Sequence, residues 1–219
     1  MSAEIRAIAL FTTVAATAAT ALMLVPGIGL AWLLARRRFP GKAIVETLVS
    51  LPLVMPPVAT GLMLLWLLGR RGPIGRLLEP LGIEVVFTPA AVIVAMAVMG
   101  LPLLVRTARA GFEQVTRRYE QIAETLGAGP WRVFVTVTLP LASRNILAGA
   151  LLGFSRALGE FGATIVVAGS IPGRTRTLAV GIYTFTETGQ DSRAAALLAI
   201  SVAIAFGAVL VSNRLARAD

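Results

Sequence analysis

Long apolar runs separated by short, arginine-marked polar stretches account for nearly the whole chain. The runs fall at about residues 7–35, 47–68, 90–105, 146–168 and 194–211. A helix rises about 1.5 Å per residue, so runs of this length approach or exceed the ~30 Å hydrocarbon layer of a bilayer. In hydrocarbon every backbone N–H and C=O needs an internal partner, which a helix supplies within one segment. The pattern predicts an all-α, polytopic membrane protein: a single domain with about five transmembrane helices.

Punctuation inside the runs adds detail. The first run far exceeds the ~7–15 apolar residues of a signal-peptide core and continues to Arg36-Arg37-Arg38, so it predicts a retained span. Pro26-Gly27 inside it predicts a bend, because proline removes a helix hydrogen bond and crowds the preceding turn. The second run carries Pro52, Pro56, Pro57 and Gly61. Freed carbonyls at membrane depth are tolerated only against protein or a water-lined cavity, which makes Pro56, Pro57 and Thr60 candidate pathway residues. A proline-kinked helix packed on its neighbours is the alternative. Polar loops are expected at 69–87 and again before the fifth run, where Pro172-Gly173, Arg174, Arg176, Glu187 and Asp191 lie.

Composition agrees with a membrane location. Mean hydropathy is +0.83, and only 14% of the 219 residues are charged, against about 25% in a soluble domain. The net charge of +9 reads as arginines flanking spans rather than a nucleic-acid surface, since no basic, aromatic-interleaved soluble face exists. Five spans put the termini on opposite sides. Twelve basic residues fall at 36–42, 106–144 and the C-terminus, against seven in the remaining loops. The positive-inside rule then predicts the N-terminus outside and the C-terminus in the cytoplasm.

Chemistry narrows further. Cys and His are absent, which removes thiol catalysis, thiolate zinc sites and haem ligation through either residue. No metal or catalytic residues are expected. An intramembrane enzyme would need paired carboxylates or metal ligands, and Glu160 is the one acidic residue deep in a run. Arg156 and Glu160 stand at i,i+4, a spacing that places both on one helix face as an ion pair. An ion at this depth costs several kcal/mol and faces protein or a wet cavity, so the pair either fixes packing or lines a pathway. Ser155 and Thr164 would add hydroxyls to a face suited to an oxyanion.

The longest polar interruption contains the most distinctive stretch, residues 117–140. RRYEQIAETL favours a helix with Tyr119, Ile122, Ala123 and Leu126 on one face. Gly127 is placed to end it and Pro130 to begin a second helix. By the charge count this element is cytoplasmic. A helix lying on lipid headgroups is the bland alternative.

Here the chain resembles a known family. Gln121-Ile122-Ala123, Gly127, Val137 and Leu139-Pro140 keep the spacing of the EAA loop of ABC importer permeases, with Gln121 in place of the family's Glu and Ile122 in place of its second Ala. FPGK at 39–42, LPLVMPPVATG at 51–61, GRRGPIG at 69–75, LGAGPWRVF at 126–134, RALGEFGATI at 156–165 and IPGRTRT at 171–177 are similar to the molybdate permease subunit of these importers. Sulfate permeases are similar in the same regions but usually longer.

The resemblance implies a type I importer fold with a cytoplasmic coupling helix in the cell inner membrane. It further implies a homodimer, two cytoplasmic ATPase subunits, and a periplasmic or extracellular protein delivering molybdate or tungstate. Coupling to the ATPase would fall to Tyr119, Glu120, Gln121, Ile122, Ala123, Glu124, Leu126, Gly127 and Ala128. No G-x4-G-K-[ST] motif occurs, so no cofactor is expected on this chain, and ATP and Mg belong to a separate subunit. A passive channel or membrane scaffold would need no such docking loop.

Overall fold

The computed structural model describes residues 3–217, all of whose regular structure is helical. The first run forms one helix, α1 (Ala3–Arg36). It passes through Pro26 and Gly27 without interruption, so the bend expected there does not break the helix. Ala15, Ala16, Ala19 and Met23 are buried on its inner face. They pack with Ala91, Val92, Ala95, Met96 and Met99 of α5 (Pro89–Gln114) in the main core. Small residues on both partners let the two backbones approach closely, as helices in lipid require.

The second run is not one continuous helix. It folds as α2 (Lys42–Val54) and α3 (Pro57–Leu68), with Met55 extended between them. The directions of Lys42–Val54 and of the stretch Pro57–Leu81 differ by 115°. Two prolines explain the corner: Pro56 disfavours a helical Met55, and Pro57 starts α3 at a position where its missing N–H costs nothing. The loop at 69–87 contains a short helix, α4 (Pro73–Leu78).

Beyond α5 come α6 (Arg117–Thr125) and α7 (Pro130–Val133). A π-helical segment, Phe134–Thr138, then leads directly into α8 (Leu139–Leu158). The second helix of the polar element is thus the root of the next span, which runs from Pro130 to Leu158. The expected span at 146–168 is split, since α8 stops at Leu158 and α9 (Gly162–Ala168) begins after an unwound Glu160.

One helix was not expected. The stretch before the fifth run forms α10 (Leu178–Glu187), whose Leu178 and Phe185 pack with Ile5 and Ile8 of α1. Ala194 and Leu197 of α11 (Asp191–Arg217) complete that cluster. Thr177 immediately before an apolar run is a helix-start signature, and its hydroxyl does accept from Val180 N–H at 3.4 Å. Among the described residues four helices are long and apolar enough to cross a membrane, or five if the bent pair Lys42–Val54 and Pro57–Leu81 counts as one span.

Candidate functional site

Two regions hold the residues singled out above. The first is α6 and its turns. Thr116 is extended before α6. Gly127, with φ of 86°, ends the helix by donating to Glu124 C=O at 2.9 Å, and Ala128 N–H reaches Ala123 C=O at 3.0 Å. Only glycine takes that left-handed conformation without cost. Pro130 at the first position of α7 completes the turn.

No residue of α6 is buried. Tyr119, Gln121, Ile122, Glu124 and Gly127 are exposed, Leu126 is 83% exposed, and Ala123 and Ala128 are half-buried. The apolar face predicted for the helix therefore points away from the bundle. Glu120 differs from its neighbours. Its Oε1 accepts from Arg36 Nη2 at 3.0 Å and from Thr138 Oγ1 at 2.7 Å, turning the side chain inward. Trp32, Phe112 and Trp131 surround Phe134 at the root of α8, with ring centroids 5.7–6.3 Å apart. Edge-to-face and tilted ring pairs of this kind add rigidity beyond their buried area.

The second region is where the two broken helices meet. A Cβ on Gly61 of α3 would lie 2.8 Å from both Cα and O of Ala163, and one on Gly162 would lie 2.7 Å from Pro57 Cβ. The backbones of α3 and α9 are thus in direct contact, which only glycine permits. Glu160 sits in the break itself and is 1% exposed. Its Oε2 accepts from Arg156 Nη1 at 2.7 Å, and its Oε1 accepts from Ala163 N–H at 2.7 Å. The i,i+4 pair exists, but Glu160 is on no helix face. One carboxylate oxygen binds the end of α8 and the other binds the start of α9.

The remaining pathway candidates are distributed around this point. Ser155 and Thr164 hydroxyls donate to the backbone carbonyls of Leu151 and Phe161, at 2.8 and 2.9 Å. Pro56 and Pro57 are exposed at the corner between α2 and α3. Thr60 is buried, and its Oγ1 has no hydrogen-bond partner. Arg156 is the one cation of the group, with its side chain 26% exposed. Among the described residues no group of His, Cys, Asp or Glu is arranged to hold a metal. Arg36 and Thr138, which orient Glu120, were not foreseen. They are 84 and 18 residues from it in sequence, beyond the reach of any helical spacing.

Comparison with known proteins gives these two regions a context. The chain is 50% identical over 193 residues to the molybdenum transport system permease protein ModB of Escherichia coli K12, covering 87% of this chain and 84% of that one. It is 36% identical over 195 residues to the sulfate transport system permease protein CysT of the same organism, covering 87% and 70%. The fold is similar to that of a bacterial alginate ABC transporter crystallised with an alginate pentasaccharide-bound periplasmic protein. That match has a TM-score of 0.71 at 17% identity and covers 99% of this chain and 80% of that one. The profile of the binding-protein-dependent transport system inner membrane component family matches residues 27–218, and the chain belongs to that family.

Proposed function

We propose that this chain is the permease subunit of an ATP-driven importer of molybdate, with tungstate as the equivalent tetrahedral dianion. The observation that carries the reading is α6. A nine-residue helix with an exposed apolar face is fixed between two spans, which is the arrangement a partner protein in the water phase can grip. Similarity to a molybdenum permease at 50%, against 36% for a sulfate permease, supports molybdate over sulfate. Sulfate import is the second reading, and it rests on that same relative.

On this reading two copies of the chain form the pathway between them. Two ATPase subunits bind the α6 helices on the cytoplasmic side, and a binding protein delivers the oxyanion from the other. The excess of arginine on the α6 side supports that orientation, with the N-terminus outside and the C-terminus inside. ATP and Mg stay on the ATPase subunits. Closure of the ATPase dimer moves both α6 helices, and the rigid connection from Pro130 into α8 carries the movement to the break at Glu160. Arg156 is the group suited to the passing anion, because a guanidinium is weakly hydrated and presents several N–H donors at oxyanion geometry. Pro56, Pro57, Thr60, Ser155 and Thr164 would form the less polar wall beside it, and Glu160 would hold the arginine in place.

The test is uptake by vesicles containing the permease, its ATPase and the binding protein. ATP inside the complex should drive molybdate accumulation that tungstate suppresses more strongly than sulfate does. Suppression by sulfate alone would favour the second reading. Accumulation without ATP would remove the importer reading altogether.

A further inference from the structure

A carboxylate and the arginine paired with it join four parts of the chain at the base of α6. Besides the bonds that Glu120 accepts from Arg36 and Thr138, the cluster includes Arg36 Nη2 donating to Val115 C=O at 2.9 Å, just past the end of α5. Arg117, the first residue of α6, reaches back to Arg36 C=O at 3.5 Å. The C-terminus of α1, the end of α5, α6 and the π segment below α8 therefore meet at the Arg36–Glu120 pair. The Arg36 side chain is only 10% exposed and that of Glu120 17%. An ion pair screened to this degree resists separation more than a surface pair does.

Two circumstances make this more than packing. Because no residue of α6 is buried, little apolar burial fixes its orientation. That orientation rests on its two turns and on these polar contacts. Thr138 is also the last residue of the π segment Phe134–Thr138. Such over-wide turns interrupt the regular α ladder and are frequent at functional sites. A push on α6 would reach α1 through Arg36 and the root of α8 through Thr138 at the same moment.

We propose that Glu120, held by Arg36 and Thr138, is a positioning residue that transmits movement of α6 to α1 and α8, so that removing it uncouples transport from ATP hydrolysis. The proposal rests on α6 being the ATPase-docking helix. Glu120 is thereby an inward-facing link, whereas Ile122 and Leu126 remain on the outward face.

The experiment measures molybdate uptake and ATP hydrolysis in the same vesicles, loaded with the permease, its ATPase and the binding protein. It compares wild type, Glu120→Ala, Glu120→Gln, Thr138→Val, Arg36→Ala and the Arg36→Ala/Glu120→Ala double variant. The complex should assemble and hydrolyse ATP in each case. Uptake per ATP should fall about tenfold in Glu120→Ala, the scale of an ordinary coupling between sites. Glu120→Gln, which keeps an acceptor in place, should lose less, and Thr138→Val should show an intermediate loss. The double variant should be no worse than either single alanine change, as groups acting as one unit require. An unchanged uptake-to-ATP ratio in Glu120→Ala would overturn the proposal. So would failure of both Glu120→Gln and Thr138→Val to assemble, since the contact would then serve folding alone. A wild-type complex that assembles without α6 touching the ATPase would instead sink the docking reading, and this proposal with it.

Discussion

Arg156 and Glu160 meet across the end of a helix and not along it: Nη1 lies 2.7 Å from Oε2 although α8 stops at Leu158. The second oxygen of the same carboxylate is taken by Ala163 N–H. Glu160 thus substitutes for the backbone continuity that the chain lacks between α8 and α9. A buried charge with one partner removed costs about 3–5 kcal/mol. Since Arg156 is partly exposed, Glu160→Ala should cost about 3 kcal/mol, at the low end of that range. Thermal unfolding of the purified protein in detergent measures it, and a variant as stable as wild type would show the link to be dispensable.

Arg156 itself allows a separate prediction. Arg156→Lys keeps the charge and a partner for Glu160 but loses the planar donor fork. If the guanidinium contacts the passing oxyanion, this variant should fold in normal amounts and transport molybdate several-fold more slowly. Wild-type uptake in Arg156→Lys, with reduced folded protein in Arg156→Ala, would assign the residue to packing.

The contact between α3 and α9 predicts a steric effect. A side chain at Gly61 would enter space already filled by the Ala163 backbone. Gly61→Val should separate the two broken helices and destabilise the protein by about 1–3 kcal/mol, as overpacking generally does. Chemical denaturation curves in detergent would register the change. No shift would mean that α3 and α9 do not pack this closely in the membrane.

Gly127 should behave in the opposite way, because nothing lies within 4 Å of its would-be side chain. Only its backbone angle is at stake. Gly127→Val forces a β-branched residue into the left-handed region at about 1–2 kcal/mol, redirecting the turn after α6 without disturbing the core. Insertion and folded yield should stay normal while ATP-driven uptake falls. Gly127→Asn, which tolerates that region, should retain most of it. Equal uptake in the valine variant would count heavily against a docking role for the turn.

What could be read in advance followed physical locality. Apolar runs announced α1, α5 and α11, and Gly127 with Pro130 announced the turn after α6, because each depends on neighbouring residues. The break at Glu160 was harder to see. RALGEFGAT lies inside a long apolar run, and the carboxylate that stabilises the interruption looks like an ordinary helical ion pair from its spacing. The corner at Met55-Pro56 was marked by its prolines as irregular, but its angle depends on where α9 leaves room. α10 was hidden by the Pro172-Gly173 turn and the charges flanking it. The contact from Arg36 to Glu120 had no local trace at all, since it exists only once α1 and α6 are brought together at one end of the bundle.

The absence of cysteine from the chain lets the docking of α6 on the ATPase be measured directly. Leu126→Cys, at the most exposed apolar position of the α6 turn, would carry a unique thiol. Leu77→Cys, exposed on α4, would carry one at the opposite end of α5. A photoactivatable cross-linker attached to each thiol should join position 126 to the ATPase subunit in membranes expressing the whole transporter, and leave position 77 unjoined to it. Cross-linking of the ATPase from position 77, or none from position 126 while the complex transports, would show that α6 is not the docking helix.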